Sequence, residues 1–133
     1  MIYLDTSAIV KLVAAEEESA ALIDWLNGNP DEDLATSALG HIELIRASAR
    51  AGPHAVAAAR NVASTIDTLV FTEAIAALAA TIMPAELRTL DAIHLATAHS
   101  HRHSLSVLCA YDRRLLEAAE SQGLPTVSPR GDT

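Results

Sequence analysis

Short apolar runs alternate along the chain with stretches of helical period, and hydroxyl or acid residues mark each change of period. Ile2-Tyr3-Leu4 predicts a buried strand, after which Asp5-Thr6-Ser7 offers helix-capping oxygens ahead of Ile9, Val10, Leu12 and Val13. Ser19 to Leu26 predicts a second helix, ended by the turn residues Asn27-Gly28-Asn29-Pro30. Leu34-Ala35-Thr36-Ser37 predicts a second strand with its own hydroxyl cap. Leu39, Ile42, Ile45 and Ala49 then carry a helix that stops near Gly52-Pro53.

The same grammar continues. His54 to Ala63 is Ala-rich and helical, Ile66 to Phe71 is β-branched and apolar enough for a third strand, and Glu73 to Ile82 predicts a helix closed by Pro84. A helix over Thr89 to His101 precedes a fourth strand, Leu105 to Cys109. Asp112 to Ser121 predicts a helix ending at Gly123, and Thr126-Val127 a short last strand. Strands that alternate with helices predict an α/β sandwich with a mainly parallel sheet, in which ligands gather at the carboxyl ends of the strands.

Composition sharpens this picture. The 133 residues are half hydrophobic but only 3% aromatic, which predicts a single domain over 1–133 with an aliphatic core and closely packed elements. Met1-Ile2-Tyr3-Leu4 starts without a basic region or cleavage site, no apolar run is long enough to cross a bilayer, and the lone cysteine, Cys109, sits in an apolar run. The expectation is a cytoplasmic protein with no membrane attachment.

The formal net charge of −8 argues against a protein that grips nucleic acid through a broad basic face. That objection weakens if several carboxylates gather round divalent cations, which cancel part of the charge. Glu16-Glu17-Glu18 and Asp31-Glu32-Asp33 read as solvated acids outside any such group.

The informative acids are the isolated ones. Asp5 closes the first strand and Asp112 follows the fourth, so a parallel sheet brings them to one rim. Glu43 lies at the margin of a helix face expected to pack inward, and Asp91 in the first turn of its helix. Each has a simpler explanation: Asp5 and Asp112 as helix caps, Asp91 as a partner of the helix dipole, and Glu43 paired with Arg46. Carboxylates crowded together raise one another's pKa unless a cation sits among them. An all-oxygen set without cysteine suits Mg²⁺ or Mn²⁺, and such an ion can serve phosphodiester hydrolysis.

Four stretches carry a family resemblance: Tyr3-Leu4-Asp5-Thr6-Ser7-Ala8; Thr36-Ser37 with Glu43-Leu44-Ile45-Arg46; Leu87-Arg88-Thr89-Leu90-Asp91-Ala92-Ile93-His94-Leu95-Ala96; and Tyr111-Asp112-Arg113-Arg114-Leu115. In these the chain resembles PIN-domain ribonucleases of the VapC toxin class. The resemblance implies a three-layer α/β/α sandwich with a Rossmann-like five-stranded sheet and a Mg²⁺ site in which Mn²⁺ can substitute. It also implies endonucleolytic cleavage of RNA, homodimerisation, and inhibition by a VapB-type antitoxin. Asp5, Glu43 and Asp91 match the family's three principal metal-binding acids and Asp112 the fourth, with Thr6 and Ser7 as supporting hydroxyls. Ala110 stands where the family often has threonine, which puts the orientation of Asp112 in question.

Around these acids, Arg46, Arg88 and Arg113 are candidates to contact substrate phosphates, with Arg114 a weaker one, against a reading as solvated or ion-paired side chains. His99, His101 and His103 invite a transition-metal idea, but alternate positions do not share a helix face. His94, at i+3 from Asp91, is placed to touch the wall of the site, against the simpler expectation of a packed helix histidine. Two other functions compete: a phosphatase using Asp5 as nucleophile, though Ser7 replaces the second acid that this chemistry wants, and a PIN-like module that binds RNA or protein without cutting.

Overall fold

The computed structural model describes residues 1–131. Among them, β1 (Ile2–Leu4), α1 (Thr6–Val13), α2 (Ser19–Asn27), β2 (Leu34–Ser37), α3 (Ala38–Ala49) and α4 (Pro53–Ala63) form the first half. The second half comprises β3 (Asp67–Leu69), α5 (Glu73–Thr81), α6 (Thr89–Ser100), β4 (Val107–Cys109), α7 (Arg113–Ser121) and β5 (Thr126–Val127). All strand pairs are parallel, in the order β3-β2-β1-β4-β5. The expected five-stranded α/β architecture is therefore present, while the expected 1–133 domain runs two residues past the described ones.

β1 is the central strand because every one of its side chains can be buried. Ile2 and Leu4 pack on one face with Ile9, Leu22, Leu44 and Ala59, whereas Tyr3 packs on the other with Leu95, Leu108 and Leu115. Two separate apolar cores, one on each face, make the three layers. Burying an aliphatic side chain of this size is worth about 1.5–3 kcal/mol, so the alternation of β1 alone fixes which helices lie on which side.

The structure departs from expectation at β3 and in α3 for physical reasons, and β4 begins at Val107 rather than Leu105. β3 is an edge strand limited to Asp67–Leu69, and Val70 and Phe71 are 69% and 41% exposed, so their β-branched or aromatic character is not used in the sheet. In α3 the fully buried positions are Gly40, Leu44 and Ser48; of the expected Leu39, Ile42, Ile45 and Ala49, Ile45 is partly buried against the core, whereas Ile42 is 54% exposed. Gly40 sets this face: a Cβ there would stand 2.5 Å from Thr36 Oγ1, so α3 approaches the sheet closely at this residue.

Candidate active site

The strand order reverses between β1 and β4, since the chain moves from β1 outward to β2 on one side and later adds β4 on the other. At the carboxyl end of this pair the loops diverge and leave a crevice. A cavity of about 330 Å³ occupies it, and Asp5, Glu43, Asp91 and Asp112 all line it, with Thr6, Ser7, Arg88 and His94. A larger cavity of about 700 Å³, between Met83, Leu87, Arg114 and Ala118, contains none of the four acids.

Local folding explains how each acid arrives. Asp5 is the N-cap of α1, its Oδ1 accepting the Ala8 amide at 2.9 Å. Ser7 Oγ lies 2.6 and 2.8 Å from the two Asp5 oxygens, donates to that carboxylate, and accepts the Tyr111 amide at 3.0 Å. Ser7 thus ties the loop after β1 to the loop after β4. Asp112 is the N-cap of α7, with Oδ1 2.9 Å from the Arg114 amide and 3.2 Å from that of Leu115. Its Oδ2 takes Arg88 Nη2 at 3.1 Å, and Arg88 Nε stands 3.7 Å from Asp91 Oδ2 in the first turn of α6.

The capping roles weighed for Asp5 and Asp112 and the helix-start role of Asp91 are all present, alongside the shared cavity. The Glu43–Arg46 pairing is absent among the described ion pairs. Glu43 instead accepts from Thr6 Oγ1 at 2.7 Å and lies 3.2 Å from His94 Nε2.

Burial and mutual repulsion set the charge state. Desolvation pushes the Asp5 carboxyl up from its ordinary 3.8, against the Ser7 hydrogen bond, and Asp112 adds to the rise. Asp91 is likewise raised by burial and then by Asp112, with Arg88 pulling the other way. Burial would also raise Glu43, but the hydrogen bonds from His94 and Thr6 outweigh it and hold that carboxyl below its ordinary 4.5. Burial pushes the nearby Cys109 thiol up to about 12, as expected of a packed, inert cysteine.

The donor set is all carboxylate oxygen with hydroxyl support, which fits Mg²⁺ or Mn²⁺ rather than a thiolate-seeking metal. Burial, and after it the neighbouring Asp112, raises Asp5 and Asp91, while the exposed Arg88 bridges two of the acids. Among the described residues no three His, Cys, Asp or Glu side chains form a ready-made ion cage. The acids are turned toward local donors, Asp91 and Asp112 toward Arg88.

The remaining candidates separate clearly. Arg46 lines an adjoining cleft of about 480 Å³ together with Thr6, Glu43 and Leu90. Arg113 is 91% exposed and pairs with Glu117 at 3.1 Å, outside the acid cavity, and Arg114 lines the larger cavity. His101 Nδ1 is 2.9 Å from Thr97 O at the end of α6, so this member of the histidine tract serves the helix terminus. His94 is the residue that the sequence reading undervalued: it is 2% exposed and lines the cavity. Its i+3 spacing from Asp91 was the one available signal.

A family model described as PIN domain matches residues 2–121. Over 132 residues the chain is 46% identical to Ribonuclease VapC47 of Mycobacterium tuberculosis (strain CDC 1551 / Oshkosh), covering 97% of each protein. It is 42% identical over 128 residues to Ribonuclease VapC46 of M. tuberculosis H37Rv, covering 96% of this chain and 97% of that one. Its fold is similar to the crystal structure of M. tuberculosis VapC20, a sarcin-ricin loop cleaving toxin, with a TM-score of 0.74 at 17% identity over 97% of this chain and 100% of that one. FitAcB from Neisseria gonorrhoeae gives a TM-score of 0.72 at 25% identity, covering 97% of this chain and 98% of that one.

Proposed function

The chain belongs to the PIN-domain family, and from that footing we propose that it is a Mg²⁺-dependent endoribonuclease acting as the toxin of a toxin–antitoxin pair. The observation that carries the reading is the meeting of Asp5, Glu43, Asp91 and Asp112 around one cavity at the β1–β4 crevice. The relatives named ribonuclease VapC over nearly their whole length support RNA as the substrate and a VapB-type antitoxin as the partner. No helix of the described residues is long and apolar enough to cross a membrane; action in the cytoplasm and homodimer formation belong to the same proposal.

Asp5, Glu43, Asp91 and Asp112 would hold the ion, Mn²⁺ serving in place of Mg²⁺. When bound it supplies Lewis acidity and offsets charge at the phosphoryl group. The protein's own groups do the rest. Ser7 orients the Asp5 carboxylate and favours its ionised form, against burial, through its hydroxyl. Arg88, 75% exposed at the rim, is free to turn from Asp112 to a substrate phosphate, and Arg46 extends the path along the adjoining cleft. The capping and burial of Asp5 leave it poorly placed as a nucleophile that must form an acyl phosphate.

Incubating a bulk RNA pool with purified protein tests this. Wild type is expected to cut in Mg²⁺ and not in chelator, and Asp5→Asn to lose at least about a hundredfold in rate, which is roughly 2.7 kcal/mol of barrier. Equal cleavage by the variant, or undiminished cleavage in chelator, would remove the metal-site reading.

A further inference from the structure

Glu43 is gripped from one side only. Its Oε1 accepts from Thr6 Oγ1 at 2.7 Å and lies 3.2 Å from His94 Nε2, which is also 3.0 Å from Thr6 Oγ1. Among the described residues no protein donor meets Oε2. The imidazole continues inward, its Nδ1 2.6 Å from the Tyr3 hydroxyl, and that hydroxyl oxygen accepts the Ser37 amide at 3.2 Å. Tyr3 is fully buried and His94 is 2% exposed, so neither can exchange these partners for water.

Counting protons fixes the direction of the chain. Tyr3 is a fully buried phenol and keeps its hydrogen at neutral pH. Its oxygen already accepts from Ser37, and among the described hydrogen bonds the acceptor for its hydrogen is His94 Nδ1, at 2.6 Å. An imidazole nitrogen that accepts carries no proton, which places the ring's hydrogen on Nε2, toward Glu43 Oε1 and Thr6 Oγ1. The opposite tautomer would aim a lone pair at a carboxylate and take from the phenol its acceptor at 2.6 Å. Space for the ring is built into α3: a Cβ at Gly40 would come within 3.2 Å of His94 Cε1.

We propose that Tyr3 and His94 are a positioning pair, fixing the imidazole as its Nε2–H tautomer so that Glu43 is held by Oε1 and offers Oε2 to the cation. Neither residue need touch the ion or the RNA. The inference rests on the metal-site reading above and adds to it two residues that reach the site through a carboxylate. Partners of this kind, which orient a ligand, typically alter metal affinity about 10–100-fold when removed.

Two readouts test it, neither depending on RNA cleavage. Long-range proton–nitrogen NMR of metal-free, histidine-labelled protein is expected to show His94 protonated at Nε2 alone in wild type, and to show loss of that preference in Tyr3→Phe. Calorimetric titration with Mn²⁺ alone is expected to show affinity about tenfold weaker in Tyr3→Phe and in His94→Leu. His94→Gln, whose amide nitrogen can take the place of Nε2–H, should recover most of it. Tyr3→Phe conserves the buried ring, so a folding failure of His94→Leu leaves the comparison intact. A wild-type ring protonated at Nδ1 or at both nitrogens overturns the proposal, as does unchanged Mn²⁺ affinity in Tyr3→Phe. Wild-type protein that binds no Mn²⁺ overturns the metal-site reading instead, and the NMR readout distinguishes the two failures because it is taken without metal.

Discussion

At 2% exposure, Asp5 is a carboxylate kept out of water by the fold and held by one hydroxyl and one backbone amide, with Asp112 acting against its ionisation. Its pKa in the folded protein is raised, so the folded state takes up the proton more readily than the unfolded chain. The sign follows: ionised Asp5 costs stability above its folded pKa, and that cost is relieved as pH falls through it. Glu43 behaves oppositely, since its lowered pKa contributes stability above its ordinary 4.5 that is lost as pH falls through the folded value. Metal-free Asp5→Asn, which retains a capping oxygen for Ala8, is therefore expected to melt higher than wild type at neutral pH. A gain of about 1 kcal/mol, within the range of active-site neutralisations, corresponds to roughly 4 °C. The gap should close on acidification, beginning above the ordinary aspartate range, and reverse in saturating Mg²⁺. Thermal unfolding of both proteins across pH checks this; a variant less stable than wild type at neutral pH without metal would contradict it.

Two of the four acids, Asp5 and Asp112, also cap helices, and this duplication decides how their substitutions must be read. Asp112 Oδ1 caps α7 while Oδ2 faces Arg88, so one carboxylate divides its oxygens between the helix and the site. Asp112→Ala should lose about 1 kcal/mol of stability with the cap, whereas Asp112→Ser should keep the cap and lose the charge. Both are expected to bind Mn²⁺ more weakly than wild type, but only the alanine variant to melt measurably lower; equal Mn²⁺ affinity in Asp112→Ser and wild type would confine Asp112 to capping. The same local chemistry explains what was legible beforehand. β1, β2 and α7 could be read because an apolar run meets a capping acid or hydroxyl within a few residues. The β3 boundary could not, since propensity carries no information that an edge strand stops at Leu69 and leaves Val70 and Phe71 outside. The partners of His94 were illegible for the corresponding reason at longer range: Tyr3 and Glu43 lie 91 and 51 residues away, and the i+3 spacing from Asp91 places His94 near the site without announcing a hydrogen-bond chain.

Across the whole molecule, 17 acidic residues against 9 basic ones present an RNA with more repulsion than attraction. The sequence shows this imbalance but not its remedy, because Arg113 turns to Glu117 while Arg88 bridges Asp91 and Asp112. Without metal, the chief cation at the acid rim is thus already occupied. A divalent ion among the four acids would release Arg88 and at the same time remove local negative charge, so it should govern RNA binding as well as cleavage. Few protein cations would then be left to displace counterions from phosphates, and the salt dependence of binding should be shallow. Fluorescence anisotropy with a labelled RNA and Ca²⁺, an ion that fills carboxylate sites with little nuclease activity expected, separates binding from cutting. The expected outcome is affinity at least about tenfold higher in Ca²⁺ than in chelator, and a smaller difference in Arg88→Gln, whose neutral amide cannot be released as a cation. RNA bound equally well in chelator would mean that the phosphate path lies elsewhere on the surface, away from the β1–β4 crevice.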